Sequence, residues 1–137
     1  MIFVDASAIV AILTREAEAD TLADALDRAE AAITSAVAVF EAALGVCRKR
    51  HASVAEAQAD VNEFLAVARV QTVAIGDREA MTALDAFARY GKGRGHPAQL
   101  NLGDCFAYAV AKNHEVALLF KGNDFSMTDI RSASLPD

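Results

Sequence analysis

The chain is short of cysteine and of positive charge, and it contains no long apolar run. Each shortage excludes something. Its 2 cysteines, Cys47 and Cys105, fall in separate helical segments and form no CxxC pair, so no zinc spacing is present. They are read as reduced, buried thiols of a cytosolic protein. Nothing approaches the roughly 18 consecutive apolar residues of a transmembrane helix. The N-terminus runs straight into Ile2-Phe3-Val4-Asp5 without the basic n-region of a signal peptide. With 13 basic against 19 acidic residues, the net charge of -6 excludes a protein that grips nucleic acid through its overall charge. The same balance suits a carboxylate metal site, or a partner that brings its own positive charge. No serine–histidine arrangement, P-loop or dinucleotide glycine fingerprint occurs, and GKGRG at 91–95 lacks both the preceding strand and the GK[ST] ending of a phosphate cradle.

What is present is an apolar, alternating chain. Apolar residues make up 54% of its 137 positions, which suits one compact domain over residues 1–137 that buries roughly two-thirds of its unfolded surface. The central stretch is Leu102–Asp124, a helix, a turn and a strand. Asp104 opens the helix after Asn101; Asn113 stops it as a left-handed cap. Ala117–Phe120 is an unbroken apolar run, as expected of a strand covered on both faces, and Lys121, Gly122, Asn123 and Asp124 follow where such a strand opens into a crevice.

Ahead of that stretch, Met1–Val4 reads as a strand, Ala8–Thr14 and Glu16–Arg28 as helices, and Ala31–Thr34 as a second strand. Ser35 caps a helix over Ala36–Arg50, and Ser53 caps another over Val54–Arg69. Val70–Ile75 is a third, β-branched strand, and Asp77 caps a helix over Arg78–Tyr90. Gly91–Leu100 is a turn-rich loop holding the only concentration of glycine, and Thr128–Ser132 is a small last strand. Alternation of this kind gives an α/β fold around a mostly parallel sheet, with no internal repeat and no linker.

Four acids stand out. Asp5 ends the first strand and begins a helix, where an N-cap is the ordinary role of aspartate. Asp104 has an equally ordinary role, an acid favoured by the dipole in a first turn. Glu41 shares a helical face with Val37, Ala38 and Leu44, so it is either a carboxylate held on an apolar stripe or a glutamate reaching out from its edge. Asp124 is also compatible with simple turn chemistry. A parallel sheet nevertheless brings the ends of its strands and the starts of the following helices close together. Carboxylates gathered there repel one another unless a hard divalent cation neutralises them, and oxygen ligands suit Mg2+ or Mn2+. Such a cation supports attack on a phosphodiester.

VDAS at 4–7, Glu41 within SAVAVFEAAL, HPAQLNLGDCFAYAVAK at 96–112 and LLFKGNDFSMTDI at 118–130 together resemble the PIN-domain ribonucleases, and among them the VapC toxins of bacterial toxin–antitoxin pairs. The resemblance spans essentially the whole chain, and the LNLGDCFAYA block is its most specific part. It implies a PIN-like three-layer α/β/α sandwich with a mostly parallel central sheet, and a Mg2+- or Mn2+-dependent endoribonuclease that cleaves RNA by a metal-activated water. It also implies cytoplasmic location, a homodimer, and inhibition by a VapB-type antitoxin in a heterotetramer or larger assembly. Asp5, Glu41 and Asp104 match the family's three core acids. Family members often carry an acid at the position of Asn123, so the fourth role passes to Asp124 or is met by the Asn123 amide through water. Ser7 matches the small hydroxyl residue that supports the first aspartate, and Asn101 a polar residue beside Asp104.

Softer features remain. Arg48-Lys49-Arg50-His51 is a basic run at a helix end, where cations suit the dipole in any case. Lys92, Arg94 and His96 on the glycine-rich loop are candidates for RNA backbone contact; His96 has no evident orienting partner to make it a general base. Phe40, Phe64, Phe87, Phe106 and Phe125 read as core or dimer packing rather than base-stacking platforms. The helices Glu16–Arg28 and Ala36–Arg50 offer a groove for an antitoxin helix. A haloacid-type phosphatase needs an acid two residues after Asp5, where Ser7 stands, and a receiver domain needs an acid pair that is absent. The alternative to the ribonuclease is a catalytically weak or inactive module of the same fold that mainly docks an antitoxin.

Overall fold

The computed structural model describes residues Met1–Ser134. Among them four parallel strands form one sheet in the order β3-β2-β1-β4, with β1 at Ile2–Val4, β2 at Ala32–Ser35, β3 at Val70–Val73 and β4 at Ala117–Leu119. Phe3 of β1 pairs with Ile33 of β2 on one side and Leu118 of β4 on the other. β1, β2 and β4 are fully buried, which is why they read as apolar runs without alternation; β3, at the edge, exposes Gln71 and Thr72. The chain steps outward from β1 to β2 to β3 and then returns to the opposite side of β1 for β4. The point between β1 and β4 is therefore where the strand order reverses, and a crevice opens there at the carboxyl ends of the strands.

Helices α1 (Ala6–Leu13), α2 (Ala19–Arg28), α3 (Ala36–Arg50) and α4 (Val54–Val67) precede β3; α5 (Asp77–Tyr90) and α6 (Leu102–Asn113) come between β3 and β4. α1 packs on α2 and α3, α3 on α4, and α5 on α6, completing the expected three-layer α/β/α sandwich. The approach of α3 to α1 is unusually close. A β-carbon on Gly45 of α3 would lie 2.6 Å from a methyl of Val10 on α1, so glycine alone lets those two helices close up. α6 is buried along most of its length, from Cys105 and Ala107 through Tyr108, Ala109, Val110 and Ala111. Its small residues let it lie against the sheet, and Tyr108 supplies bulk worth roughly 2 kcal/mol or more on burial.

Several sequence expectations need correction. Asn113 is not a left-handed cap; it stays in α6 and its amide donates to Glu79 of α5 (3.1 Å), while Glu115 adopts the positive φ of 57°. Thr128–Ser132 is not a strand. A short 3-10 turn, Phe125–Met127, comes first, and only Ser132 bridges to Leu118, because side-chain bonds by Thr128 and Asp129 hold the intervening backbone off the sheet. Asp77 does not cap α5 but begins it; the Gly76 N–H is instead met by the Glu79 carboxylate at 2.8 Å. α2 starts at Ala19 rather than Glu16, whose side chain is drawn elsewhere, and α1 starts at Ala6 rather than Ala8. The Ser35 and Ser53 caps are present, the latter as a capping box with Glu56. Phe125 is buried and Phe64 and Phe106 pack against the core, but Phe40 is 65% exposed and Phe87 39%.

The segment after β4 is tied down through Tyr108. Its hydroxyl donates to Asp129 (2.5 Å) and accepts from Arg89 (2.7 Å), and Lys112 reaches the same carboxylate at 2.9 Å. Tyr108→Phe should therefore lower unfolding free energy by about 1–2 kcal/mol in urea titrations, with the denaturant slope unchanged.

Candidate active site

The acids arrive at the crevice by different routes. Asp5 follows β1 directly, its N–H pairs with the Leu119 carbonyl of β4, and its side chain turns back to cap α1 by accepting from Ser7 N at 3.0 Å. The Ser7 hydroxyl donates to the same Asp5 oxygen and accepts from the Lys121 N–H at 3.0 Å. Ser7 thus joins the end of β4 to the first aspartate. The Val4 carbonyl beside it is met by the buried Thr34 hydroxyl at 2.8 Å. Asp5 is 4% exposed and fixed on both sides.

Glu41 comes from α3. The Gly45–Val10 approach brings that helix in, and the Glu41 carboxylate lies directly against Gly103 of α6, in the space that a β-carbon there would fill. Asp104 comes from the first turn of α6, where a reciprocal capping box fixes it: Asp104 N donates to Asn101 Oδ1 (2.9 Å) and Asn101 N to Asp104 Oδ2 (3.1 Å). Asp5, Glu41 and Asp104 line one open cleft of about 460 Å³, together with Ser7, Glu16, Gly45, Arg48, Lys49 and Lys121.

Electrostatics bind these groups into a unit. Burial pushes the Asp104 carboxyl up to about 7, and the charges of Asp5, Asp124 and Glu41 add to that against the Asn101 N–H. Asp5 is raised by burial against the bonds from Ser7 and Ala6, with Asp124 adding to the rise. Glu41 is raised by burial and then by Asp5. Among the described residues no three Asp, Glu, His or Cys side chains stand close enough to ligate one ion together; the carboxylates share a cleft rather than a point. An all-oxygen set of this kind fits a hard ion held by one or two carboxylates and otherwise by water and phosphate oxygens.

The other candidates fall less uniformly. Asp124 is exposed at the start of the 3-10 turn and does not line the cleft, although its charge acts on both aspartates. Asn123 is exposed and its carbonyl accepts from Ser126. Lys92, Arg94 and His96 lie outside the cleft lining. Their loop is closed at its base by the Lys92 N–H to the Leu100 carbonyl (2.9 Å), and His96 accepts from Ala98 N while its ring edge meets Tyr90. The basic run splits around its helix: Arg48 and Lys49 face the cleft, whereas Arg50 turns to the Leu13 carbonyl and Asp60, and His51 is the left-handed cap. Sequence reasoning missed Glu16, Gly45 and Gly103, whose roles depend on neighbours far away in the chain. Lys121 carried a signal in following β4 directly. A groove beside α2 and the end of α3 is lined by Leu26 of α2 and Arg50 of α3, and also by Leu13 of α1 and Phe64 and Val67 of α4.

A sequence model of the PIN domain matches residues 2–130, and the chain belongs to that family. Within it the chain stands with the VapC ribonucleases, hydrolases of the nuclease class. A VapC ribonuclease of Rhizobium meliloti is 43% identical over 141 residues, covering 95% of this chain and 99% of its own. Ribonuclease VapC28 of Mycobacterium tuberculosis is 38% identical over 130 residues, covering 95% and 96%. In fold the chain is similar to the crystal structure of Mycobacterium tuberculosis VapC20, described as a sarcin-ricin loop cleaving toxin, with a TM-score of 0.76 at 16% identity, covering 95% and 96% of the two chains.

A proton affinity raised by folding has a defined consequence. Folded Asp104 keeps a proton that the unfolded chain releases above 3.8, so the stabilisation present below that pH is lost as pH rises through about 7. In metal-free buffer the melting temperature should fall between pH 5 and pH 8. Asp104→Asn and Glu41→Gln should each raise it at pH 8, corresponding to a gain in unfolding free energy on the order of 1 kcal/mol after solvent screening. Unchanged or lower values would mean the carboxylates are stabilised by cation pairing.

Proposed function

We propose that residues 1–137 form one domain that acts as a metal-dependent endoribonuclease, the toxin of a toxin–antitoxin pair, in which one or two of Asp5, Glu41 and Asp104 ligate Mg2+ or Mn2+ directly and the remainder act on it through water. The observation that carries this reading is the convergence of three acids from three separate elements on the lining of one cleft. A divalent ion bound there supplies Lewis-acid charge to a phosphodiester and lowers the pKa of an attacking water. The chain's own groups set the stage for that. Asp5 is oriented by the Ser7 hydroxyl and N–H, so one oxygen is occupied and the other is left to face the cleft. Asp104 is oriented by Asn101 in the same way. Glu41 accepts no hydrogen bond among the described residues, which leaves both its oxygens available. The fourth role falls to Asp124 or to the Asn123 amide through water, both in the segment after β4 and both outside the cleft lining.

The partners accord with the same reading. RNA is the substrate class. A VapB-type antitoxin helix docks in the groove formed by α1, α2, α4 and the end of α3, where Arg50, Asp60 and Glu63 supply a charged rim. A homodimer forms through α5 and α6, where Met81, Leu84 and Leu102 are each about 70% exposed. Among the described residues no helix is long and apolar enough to cross a membrane.

Purified protein freed of antitoxin should cleave RNA in Mg2+ or Mn2+, and Asp5→Asn or Asp104→Asn should reduce cleavage at least about 100-fold with circular dichroism unchanged. Absence of cleavage by the parent protein at any loading would hand the function to a binding module of the same fold. Gly103→Ala tests Glu41 without touching an acid. Its methyl displaces the end of a flexible side chain, so the melting temperature should stay within a few degrees while cleavage drops about tenfold or more and divalent binding weakens by calorimetry.

A further inference from the structure

An anionic substrate entering this cleft meets Asp5, Glu41 and Asp104 on a chain of net charge -6, and needs local cations to approach. The cleft holds them in one organised group. Lys121 Nζ and Lys49 Nζ converge on the same oxygen of Glu16, at 2.7 and 3.0 Å, from the end of β4 and the last turn of α3. The three side chains differ in exposure. Glu16 is 15% exposed, Lys121 34% and Lys49 54%, so the carboxylate forms the floor and the ammonium groups stand above it. Each ammonium carries three N–H donors and spends one on Glu16; Lys121 also has the Glu18 carboxylate at 3.9 Å, beyond hydrogen-bond distance. Two lysines this close would repel one another and spread without the shared anion. Lys121 is also anchored to the acids: its main-chain N–H donates to the Ser7 hydroxyl that holds Asp5.

We propose that Lys49 and Lys121, held on the carboxylate of Glu16, form a pincer for the RNA phosphate next to the one being cleaved. Glu16 is a positioning residue, acting on the substrate through the two lysines. The proposal rests on the endoribonuclease reading and adds to it the cationic subsite that an acidic protein requires. Lysine suits a phosphate as a point charge, and the cleft's acid-lined end takes the scissile group while the lysine-lined end takes its neighbour.

The test is steady-state cleavage of one RNA oligonucleotide by the full chain without antitoxin, at several salt concentrations. Lys49→Gln/Lys121→Gln should raise KM about tenfold and leave kcat within about twofold, and the slope of log KM against log salt should become shallower by about 0.7, the value for one neutralised phosphate on a single strand. Glu16→Gln should raise KM several-fold at constant kcat, and Glu16→Asp should recover part of the loss. Arg69→Gln/Arg78→Gln, an equal loss of two positive charges at exposed positions outside the cleft, should move neither KM nor slope. If the parent cleaves RNA and the double lysine variant keeps its KM and its salt slope, the pincer is wrong and the nuclease reading survives. A fall in KM for Glu16→Gln would make Glu16 a competitor of the phosphate and overturn its positioning role. A parent that cleaves nothing defeats the nuclease reading and this one with it.

Discussion

Like charges brought close together in a partly buried cleft raise the free energy of the folded chain, and this protein accepts that at the switch point of its sheet. Burial and mutual repulsion act in the same direction on Asp5, Glu41 and Asp104, each of which holds its proton more tightly than in water. Much of the surrounding structure keeps these groups in place despite that. Ser7 and Asn101 hold two of the acids through hydrogen bonds to backbone and side chain, and the small residues Gly45 and Gly103 make room for the third. A hard divalent ion at these acids would relieve the repulsion and would supply the charge that the proposed cleavage needs.

The sheet gives this site its rigidity. β1 and β4 are adjacent and parallel, so Asp5 and Lys121 leave the sheet side by side, and the Asp5 N–H still pairs with Leu119. Ser7 then links the two departures through a hydrogen-bond chain from Lys121 to Asp5. α6 closes the arrangement from the other side. It is buried along most of its length, is packed against α5, and is tied to the C-terminal segment through Tyr108 and Asp129. An acid in its first turn therefore has little freedom to move away from its neighbours.

Counter-charge is segregated from the acids instead of being paired with them. Glu16 takes Lys49 and Lys121, and its carboxyl is held below the ordinary range chiefly by Lys121. No lysine or arginine forms an ion pair with Asp5, Glu41 or Asp104 among the described residues. A lysine on those acids would quench the negative charge that attracts a metal ion. A lysine on Glu16 instead stays available at the cleft edge for an anionic chain.

The parallel α/β alternation, the serine caps and the acids themselves were legible because each is written in local sequence. Apolar runs bounded by turn residues reveal buried strands, and Ser35, Ser53 and Asn101 mark helix starts by chemistry acting over three residues. Thr128–Ser132 misled because its β-branched and polar pattern resembles a strand, while Asp129 is held by Tyr108 across 21 residues. The groove expected from α2 and α3 also draws on α1 and α4, because α3 presents Glu41, Gly45, Arg48 and Lys49 to the acid cleft and only Arg50 at its end reaches the groove. Sequence by itself determined the four buried or edge strands through β4, the six helices and their order, since propensity and capping depend on near neighbours. Only the tertiary structure decided that Glu41 lies against Gly103, that Glu16 gathers Lys49 and Lys121, and that Arg48 and Arg50 face opposite ways. Those pairings are set by how closely helices approach and by which face each one presents, and both are properties of the packed chain.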